Sequence, residues 1–418
     1  MPEIQTFRFE YKVPENIADF DPQDFIAKAE AWLAGHVRAG EKVALSASGG
    51  VDSTVAGLLT GRVVGENLYP FFIEDGCRRL ILNRPESRAT ERIFKDYPNF
   101  TIYHAVDRVL SALTDLSKGE EKREAFISQY KEVSDSYIQR IGADWVADGT
   151  IGPDIRETEG GFKSQHNVGW GYSVRKLEPL ASLAKPQVRK VAMALGLPEE
   201  FAHRIPCPGP AQIVRTVGRF TMDKLKKAQT ATDIVEQLVE RYYAQKMGQP
   251  YQYDEQTGVR TPFQYFGCIL DSGMDINTNF TDLASSVLRT ESRGFVMDAQ
   301  TTTVPPGGER PEKPIYKPVA WLETKDEVGY EELDELSRQA QEQLDLPRIL
   351  CRVFESDGSY FHVAAIRVVE SADAKTARAP RIERAYLHDM GKAIREGTKI
   401  ARAAYDLGPK PWSTIEFE

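Results

Sequence analysis

Apolar residues recur at helical spacing over residues 23–39, where Phe25, Ile26, Ala29, Trp32, Leu33 and Val37 share one face, and this predicts an amphipathic helix. The run 42–46 predicts a strand, and the apolar segment 55–59, beyond a glycine turn, predicts a second helix. The alternation continues with a strand at 68–73, a helix at 87–97, a strand at 100–106, a long helix at 121–141 and a buried strand at 145–147. Strands alternating with helices imply an α/β fold with a parallel sheet covered on both faces, and sites in such sheets sit at the carboxyl ends of the strands.

After Pro210 the pattern changes. Residues 222–246 predict a long helix with Leu225, Ala228, Val235, Leu238 and Tyr242 on one face. The stretch 256–315 is rich in Thr, Gly and Pro and predicts an insertion with little regular structure. A helix at 331–344 follows, then a hairpin of 350–355 and 360–369 around Asp357-Gly358, then a helix near 381–405. Strands followed by a helix suggest a small α+β second domain. No internal repeat is present.

Chemistry enters with Ser48-Gly49-Gly50-Val51-Asp52-Ser53, placed between a predicted strand and a predicted helix. The glycines let backbone approach phosphates with no Cβ in the way. The helix start offers unpaired N–H groups and a positive dipole end to an anion. Ser46, Ser48 and Ser53 add hydroxyl donors, and Asp52 suits a magnesium ion held against the same phosphates. No GxxxxGK[ST] occurs, so this is not a Walker loop, whose lysine serves transfer of the γ phosphate. A loop that grips the leaving β,γ pair suits attack at the α phosphate, which splits ATP into AMP and pyrophosphate.

Composition narrows the class. The 418 residues are 41% hydrophobic and 28% charged, as in ordinary globular chains long enough for two or three domains. The net charge of -9 argues against a nucleic-acid partner. The four cysteines, Cys77, Cys207, Cys268 and Cys351, form no CxxC pair, which disfavours a zinc site and fits a reducing cytosol. The charged N-terminus lacks the apolar run of a signal peptide, and no stretch is apolar enough for a membrane span. A cytoplasmic protein without membrane contact is expected.

The SGGVDS loop resembles that of the pyrophosphate-loop (PP-loop) ATPases, adenine nucleotide alpha hydrolase-like proteins that include GMP synthetase, NAD synthetase, argininosuccinate synthetase and several RNA thiolases. Further segments narrow the resemblance to the GMP synthetase family. Residues 149–154 (GTIGPD) resemble its GTLYPD segment, and 163–169 (KSQHNVG) its lid motif IKSHHNVGG. Glu178-Pro179-Leu180 with Lys185 and Arg189 is similar to EPLRELFKDEVR, and 204–210 (RIPCPGP) to RHPFPGPG. Tyr405-Asp406, Lys410-Pro411 and 414–418 (TIEFE) resemble the family's carboxyl terminus.

The resemblance covers about residues 40–220 and 350–418 and implies a domain organisation. Residues 1–40 would be an N-terminal segment with a helix, and 41–212 a PP-loop ATP pyrophosphatase domain. Residues 213–418 would form a smaller dimerisation and acceptor domain, with an insertion at about 245–345. It also implies roles. Ser46, residues 48–53, Asp75, Gly149 and Lys163 would bind ATP, with Asp52 holding magnesium. Lys163 and His166 on a lid, with Asp52, would serve catalysis. Asp154, Arg204, Lys410, Thr414, Ile415 and Glu416 would bind a purine-nucleotide acceptor. Lys185 and Arg189, four apart on a helix, fit a solvated face as well as a site. A glutaminase domain is not recognised, so ammonia would be free or come from a separate glutaminase subunit, and a homodimer is expected.

The chain departs from the family pattern around the acceptor positions. Gln165 replaces the first His of the lid motif, Asp148 a Gln, Ile205 and Cys207 a His and a Phe, and Phe417 a Trp. The most direct expectation is adenylation and amination of XMP to GMP. Two alternatives stand beside it: amination or thiolation of a different acceptor, with Cys207 or Cys77 as a sulfur carrier, and a non-catalytic nucleotide-binding subunit.

Overall fold

The computed structural model describes residues 5–159, 172–254, 257–304, 314–358, 361–371 and 376–418. A first sheet holds six strands: β1 (Thr6–Arg8), β2 (Val43–Ser46), β3 (Leu68–Glu74), β4 (Thr101–His104), β5 (Trp145–Ala147) and β6 (Arg175–Glu178). Their order is β1-β6-β5-β2-β3-β4, with every pair parallel. The chain moves from β2 outward through β3 to β4, then returns to the other side of β2 with β5. The loop leaving β2 therefore sits where the strand order reverses, the place such sheets use for ligands.

Three helices matter for that loop: α1 (Pro22–His36), α2 (Val51–Val64) and α3 (Gly119–Ile141). Asp21 caps α1 by accepting from the Gln23 N–H, and Pro22 opens its first turn. Gly142, in the left-handed conformation, stops α3. The apolar faces of α1 and α2 bury Phe25, Leu33, Val55 and Leu59 against Val43, Leu45 and Trp145 of the sheet. Residues 5–40 thus contribute β1 and α1 to the layers of the first sheet. Strand β6, paired between β1 and β5, has no sequence signal, because Arg-Lys-Leu-Glu reads as surface. Glu178 is nevertheless buried, paired with Lys176 at 2.5 Å and with Arg8 at 2.9 Å.

A second sheet holds eight strands: β7 (Thr216–Val217), β8 (Gln264–Asp271), β9 (Met274–Ile276), β10 (Ser292–Thr303), β11 (Ile315–Thr324), β12 (Ile349–Glu355), β13 (His362–Val369) and β14 (Arg402–Asp406). Their order is β9-β10-β11-β12-β14-β13-β8-β7. Side chains along β8 alternate: Tyr265 and Ile269 join the core shared with helices α4 (Met222–Met247) and α5 (Arg384–Thr398), while Phe266, Cys268 and Leu270 face a second core on the opposite side.

Three expectations are corrected here. The stretch 256–315 is not irregular, since β8, β9, β10 and the helix Thr278–Leu288 lie within it and β11 begins at its end. Threonine is the reason: it is polar in composition but β-branched, and Thr301, Thr302 and Thr303 end a twelve-residue strand. With eight strands the second sheet is the wider of the two. Second, β12 and β13 do not form a hairpin, because β14 lies between them, antiparallel to β12 and parallel to β13. Third, the helix expected near 381–405 ends at Thr398, where Lys399 turns left-handed (φ 64°) and β14 takes over.

Candidate active site

The loop after β2 is held open by its own geometry. Gly49 has φ 85°, a region L-residues rarely enter, and a Cβ there would stand 3.1 Å from the Glu86 side chain. Gly50 caps α2 with no side-chain bond, which leaves helix N–H groups facing outward. Ser48 and Ser53 hydroxyls lie 2.9 Å apart, and Ser53 and Thr54 hydroxyls donate to the Gly50 carbonyl at 3.2 and 2.9 Å. Gly149, just beyond β5, presses on the first turn of α2, where a Cβ would fall 2.5 Å from the Ser53 nitrogen. The loop is therefore locked against its neighbouring strand by backbone packing.

A cleft of about 230 Å³ opens above the loop, lined by Ser48, Gly50, Val51, Asp52, Asp154 and Arg204 among the expected residues. Asp52 is its pivot. One carboxylate oxygen meets Lys185 Nζ at 2.5 Å, while Oδ1 is buried with no hydrogen-bond partner among the described residues. A buried, unpartnered carboxylate oxygen is costly and calls for a cation or a donor.

Cationic groups ring the remaining wall: Lys185, Arg78, Arg79 and Arg204. Arg79 is held by Glu86 at 3.2 Å and Glu236 at 3.3 Å. Arg204 donates to the Gly49 carbonyl at 3.2 Å, and burial, then Arg79 nearby, pull its guanidinium down to about 10. Such a ring suits a polyanion with charge shifting during reaction.

Asp75 does not line the cleft. It is buried, accepts from the Cys77 N–H and from Arg78 Nε (both 2.8 Å), and burial pushes its carboxyl up despite Arg78. Its visible work is to aim Arg78, whose guanidinium lies over the Phe126 and Tyr130 rings at 5.8 and 5.4 Å. Ser46 likewise lies off the cleft lining, with its hydroxyl 2.7 Å from that of Tyr130, which does line it.

The C-terminal residues reach the cleft indirectly. Lys410 bridges to Ala377, and Thr414 Oγ1 lies 2.6 Å from Thr302 Oγ1. Ile415 packs against the core on the outer face of the second sheet. The Glu416 carboxylate binds Arg215 at 2.9 and 3.1 Å and accepts from Gln264 Nε2 at 2.7 Å. The same Gln264 amide donates to the Pro206 carbonyl at 3.2 Å, in the cleft wall. Lys163 and His166 lie outside the described residues.

Curated relatives decide the family. A protein from Methanosarcina barkeri, named as one subunit of a glutamine-hydrolyzing GMP synthase, is 36% identical over 403 residues, covering 95% of this chain and 99% of the relative. Its namesake from Methanosarcina acetivorans is 30% identical over the same coverage. The chain belongs to this GMP synthase subunit family. A relative of the same name from Sulfurisphaera tokodaii, 28% identical, covers 96% of this chain and is itself covered in full. The family model "GMP synthase C terminal domain" matches residues 344–417. Among solved structures, an NH3-dependent NAD synthetase from Campylobacter jejuni matches 44% of this chain and 77% of its own (17% identity, TM-score 0.35). NMN synthetase from Francisella tularensis matches 46% and 79% (18% identity, TM-score 0.36).

Membership of the GMP synthase family sharpens what sequence reading misses. Arg78, Arg79, Glu86, Tyr130 and Lys185 all line the cleft, yet the sequence singles out only Lys185, as one of two charges on a helix. The doubled Arg beyond Asp75-Gly76 is the available signal. Cys77 and Cys207 are poor sulfur carriers, because reactivity needs a thiolate. Burial pushes the Cys77 thiol well up and Cys207 up to about 11, and both stay protonated at neutral pH. Cys207→Ser is therefore expected to keep steady-state turnover within about twofold, and its loss would revive the thiolation alternative.

His203, beside Arg204, carries a pH dependence. Burial, then Arg189 and Arg260, lower it from 6.5 to about 4, and its Nδ1 is buried without a partner among the described residues. The unfolded chain binds the extra proton first. The stability tied to neutral His203 is thus complete above pH 6.5 and lost as pH falls from there towards 4. Urea melts of His203→Gln across that window are expected to show a flatter pH dependence than the unaltered chain; parallel curves would contradict this.

Proposed function

We propose that this chain catalyses the ATP-dependent amination of XMP to GMP, releasing AMP and pyrophosphate. The observation that carries the reading is the buried, unpartnered Oδ1 of Asp52 at the mouth of a glycine loop ringed by Lys185, Arg78, Arg79 and Arg204. The outward N–H groups at the start of α2, with Ser48 and Ser53, would hold the β and γ phosphates. The O2 oxygen of XMP attacks the α phosphorus, the bond to the β-phosphate oxygen breaks, and pyrophosphate leaves with both outer phosphates. Ammonia then attacks C2 of the adenylyl-XMP, AMP departs carrying the former O2, and GMP remains after loss of a proton.

The Asp52 carboxylate fits a magnesium ion, being a hard oxygen donor with one free buried atom beside the phosphate loop. When bound, that ion supplies positive charge to the pyrophosphate leaving group. Arg204 and Lys185 neutralise the developing charge from the protein side, and Gly149 fixes the loop's distance from β5. Lys163 and His166 would complete the charge on the reacting phosphate. Asp154 in the cleft, and Glu416 with Lys410 and Thr414 from the tail, would orient the acceptor.

Because the relatives are named as one subunit of a glutamine-hydrolyzing synthase, ammonia is read as coming from a separate glutaminase subunit. A homodimer through the second domain belongs to the same reading; β9 is an edge strand with Ile276 63% exposed, and sedimentation velocity reads the state. The deciding assay is incubation with XMP, ATP, magnesium and ammonium. Equal yields of GMP, AMP and pyrophosphate are expected. AMP formation that XMP does not stimulate would end this assignment.

A further inference from the structure

Between Arg79 and Glu86, both in the cleft wall, the chain leaves the site and returns as a short hairpin, Leu80–Ile81 paired with Arg84–Pro85. Its two-residue turn, Leu82-Asn83, has φ 50° and 59°, the conformation that favours Asn and Gly. A leucine there is unfavourable for the fold, and it is 68% exposed, so it gains nothing from burial within this chain. The turn is nonetheless fixed, since the Asn83 N–H donates to Asp233 Oδ2 of α4 at 2.9 Å. The structure thus holds an apolar side chain rigidly in water at the rim of the cleft.

The surface beside it is basic in a chain whose net charge is -9. Arg84, Arg88 and Arg92 surround a shallow depression with Pro85 and Glu91. Glu91 pairs with Arg88 at 3.0 Å, while Arg84 and Arg92 have no carboxylate partner among the described residues. Like charges gathered around a concavity repel one another in the free chain and are relieved by an acidic occupant.

We propose that this rim, with Leu82 as apolar anchor and Arg84 and Arg92 as charge contacts, docks an acidic surface of the glutaminase subunit. The inference rests on the function proposed above, which requires an ammonia source. Geometry supports it: the hairpin's two ends are cleft residues, so a protein seated on it stands next to the place where ammonia is consumed. Arginine is among the residue types that most often carry the binding energy of protein interfaces.

The test uses the full chain with its cognate glutaminase subunit. The double variant Arg84→Glu, Arg92→Glu is expected to weaken the complex by about tenfold or more in analytical ultracentrifugation, with an effect that shrinks as salt rises. Glutamine-supported GMP formation falls in parallel, while ammonium-supported formation stays within about twofold, because rim charges act on association and not on chemistry. Leu82→Asn separates docking from folding: asparagine suits the left-handed turn, so its Tm holds or rises while affinity for the glutaminase subunit falls. An unchanged dissociation constant in both variants overturns the proposal. So does loss of affinity for RNA or inorganic phosphate with none for the glutaminase subunit. If the unaltered chain makes no GMP even from ammonium, the functional reading fails instead, and the dissociation constant still judges the docking surface on its own.

Discussion

Asp52→Asn is expected to cut XMP-dependent pyrophosphate release by about 10²–10³-fold, the loss typical when a preorganised charge contact to a reacting centre is removed. Asparagine keeps the shape and length of the side chain but carries no charge, so the magnesium ion proposed above would lose its anionic ligand and Lys185 loses its counter-charge. Stability is expected to change little, because the Lys185 side chain is 36% exposed and such pairs contribute at most about 1 kcal/mol. The two effects separate in measurement. Pyrophosphate release at saturating ATP and XMP, measured over a magnesium titration, reads the first, and a thermal melt reads the second. A variant that keeps its Tm and its turnover would show that the carboxylate is a bystander. One that loses both would show that it is a structural strut.

The second large effect lies in the other domain. Asp406 is fully buried between Arg348 and Arg367, and it also accepts from the Gly408 N–H at 2.8 Å. Asp406→Ala leaves two buried guanidiniums facing each other without a counter-charge, and is expected to cost about 3–5 kcal/mol. The same arginines hold the tail: Arg348 donates to the Thr414 carbonyl at 2.7 Å and Arg367 to that of Gly408 at 2.7 Å. Loss of the carboxylate should therefore loosen the segment bearing Lys410 and Glu416. A lowered urea midpoint together with a raised KM for XMP, and a KM for ATP that moves less, is the expected pattern. An unchanged midpoint would mean that solvent or a tail carboxylate replaces Asp406.

These two residues also mark how far the sequence can be read. The loop after β2 is legible because its requirements are local: glycines for approach, hydroxyls for donation and an aspartate for a cation, all within a few residues. Asp406 is legible only as part of a tail resemblance, since the partners that give it meaning, Arg348 and Arg367, are neighbours through strand order and not through sequence. Lys185 illustrates an intermediate case. A lysine and an arginine four apart on a helix look alike whether they face water or a cleft, and only the packing of that helix beside α2 aims Lys185 at Asp52. The strands β6 and β10 escape notice for a different reason. Charged or threonine-rich strands carry no apolar period, and their burial is made possible by pairs such as Lys176 with Glu178.

Gln264 has one side-chain amide nitrogen serving two masters, Pro206 in the cleft wall and Glu416 in the tail. A displacement of either acceptor strains its bond to the other, so a shift of the cleft wall at Pro206 is felt by the tail at Glu416. By reciprocity, whatever factor ATP adds to the grip on the acceptor, the acceptor must return to ATP. Gln264→Leu is expected to weaken the dependence of each substrate's apparent affinity on the concentration of the other.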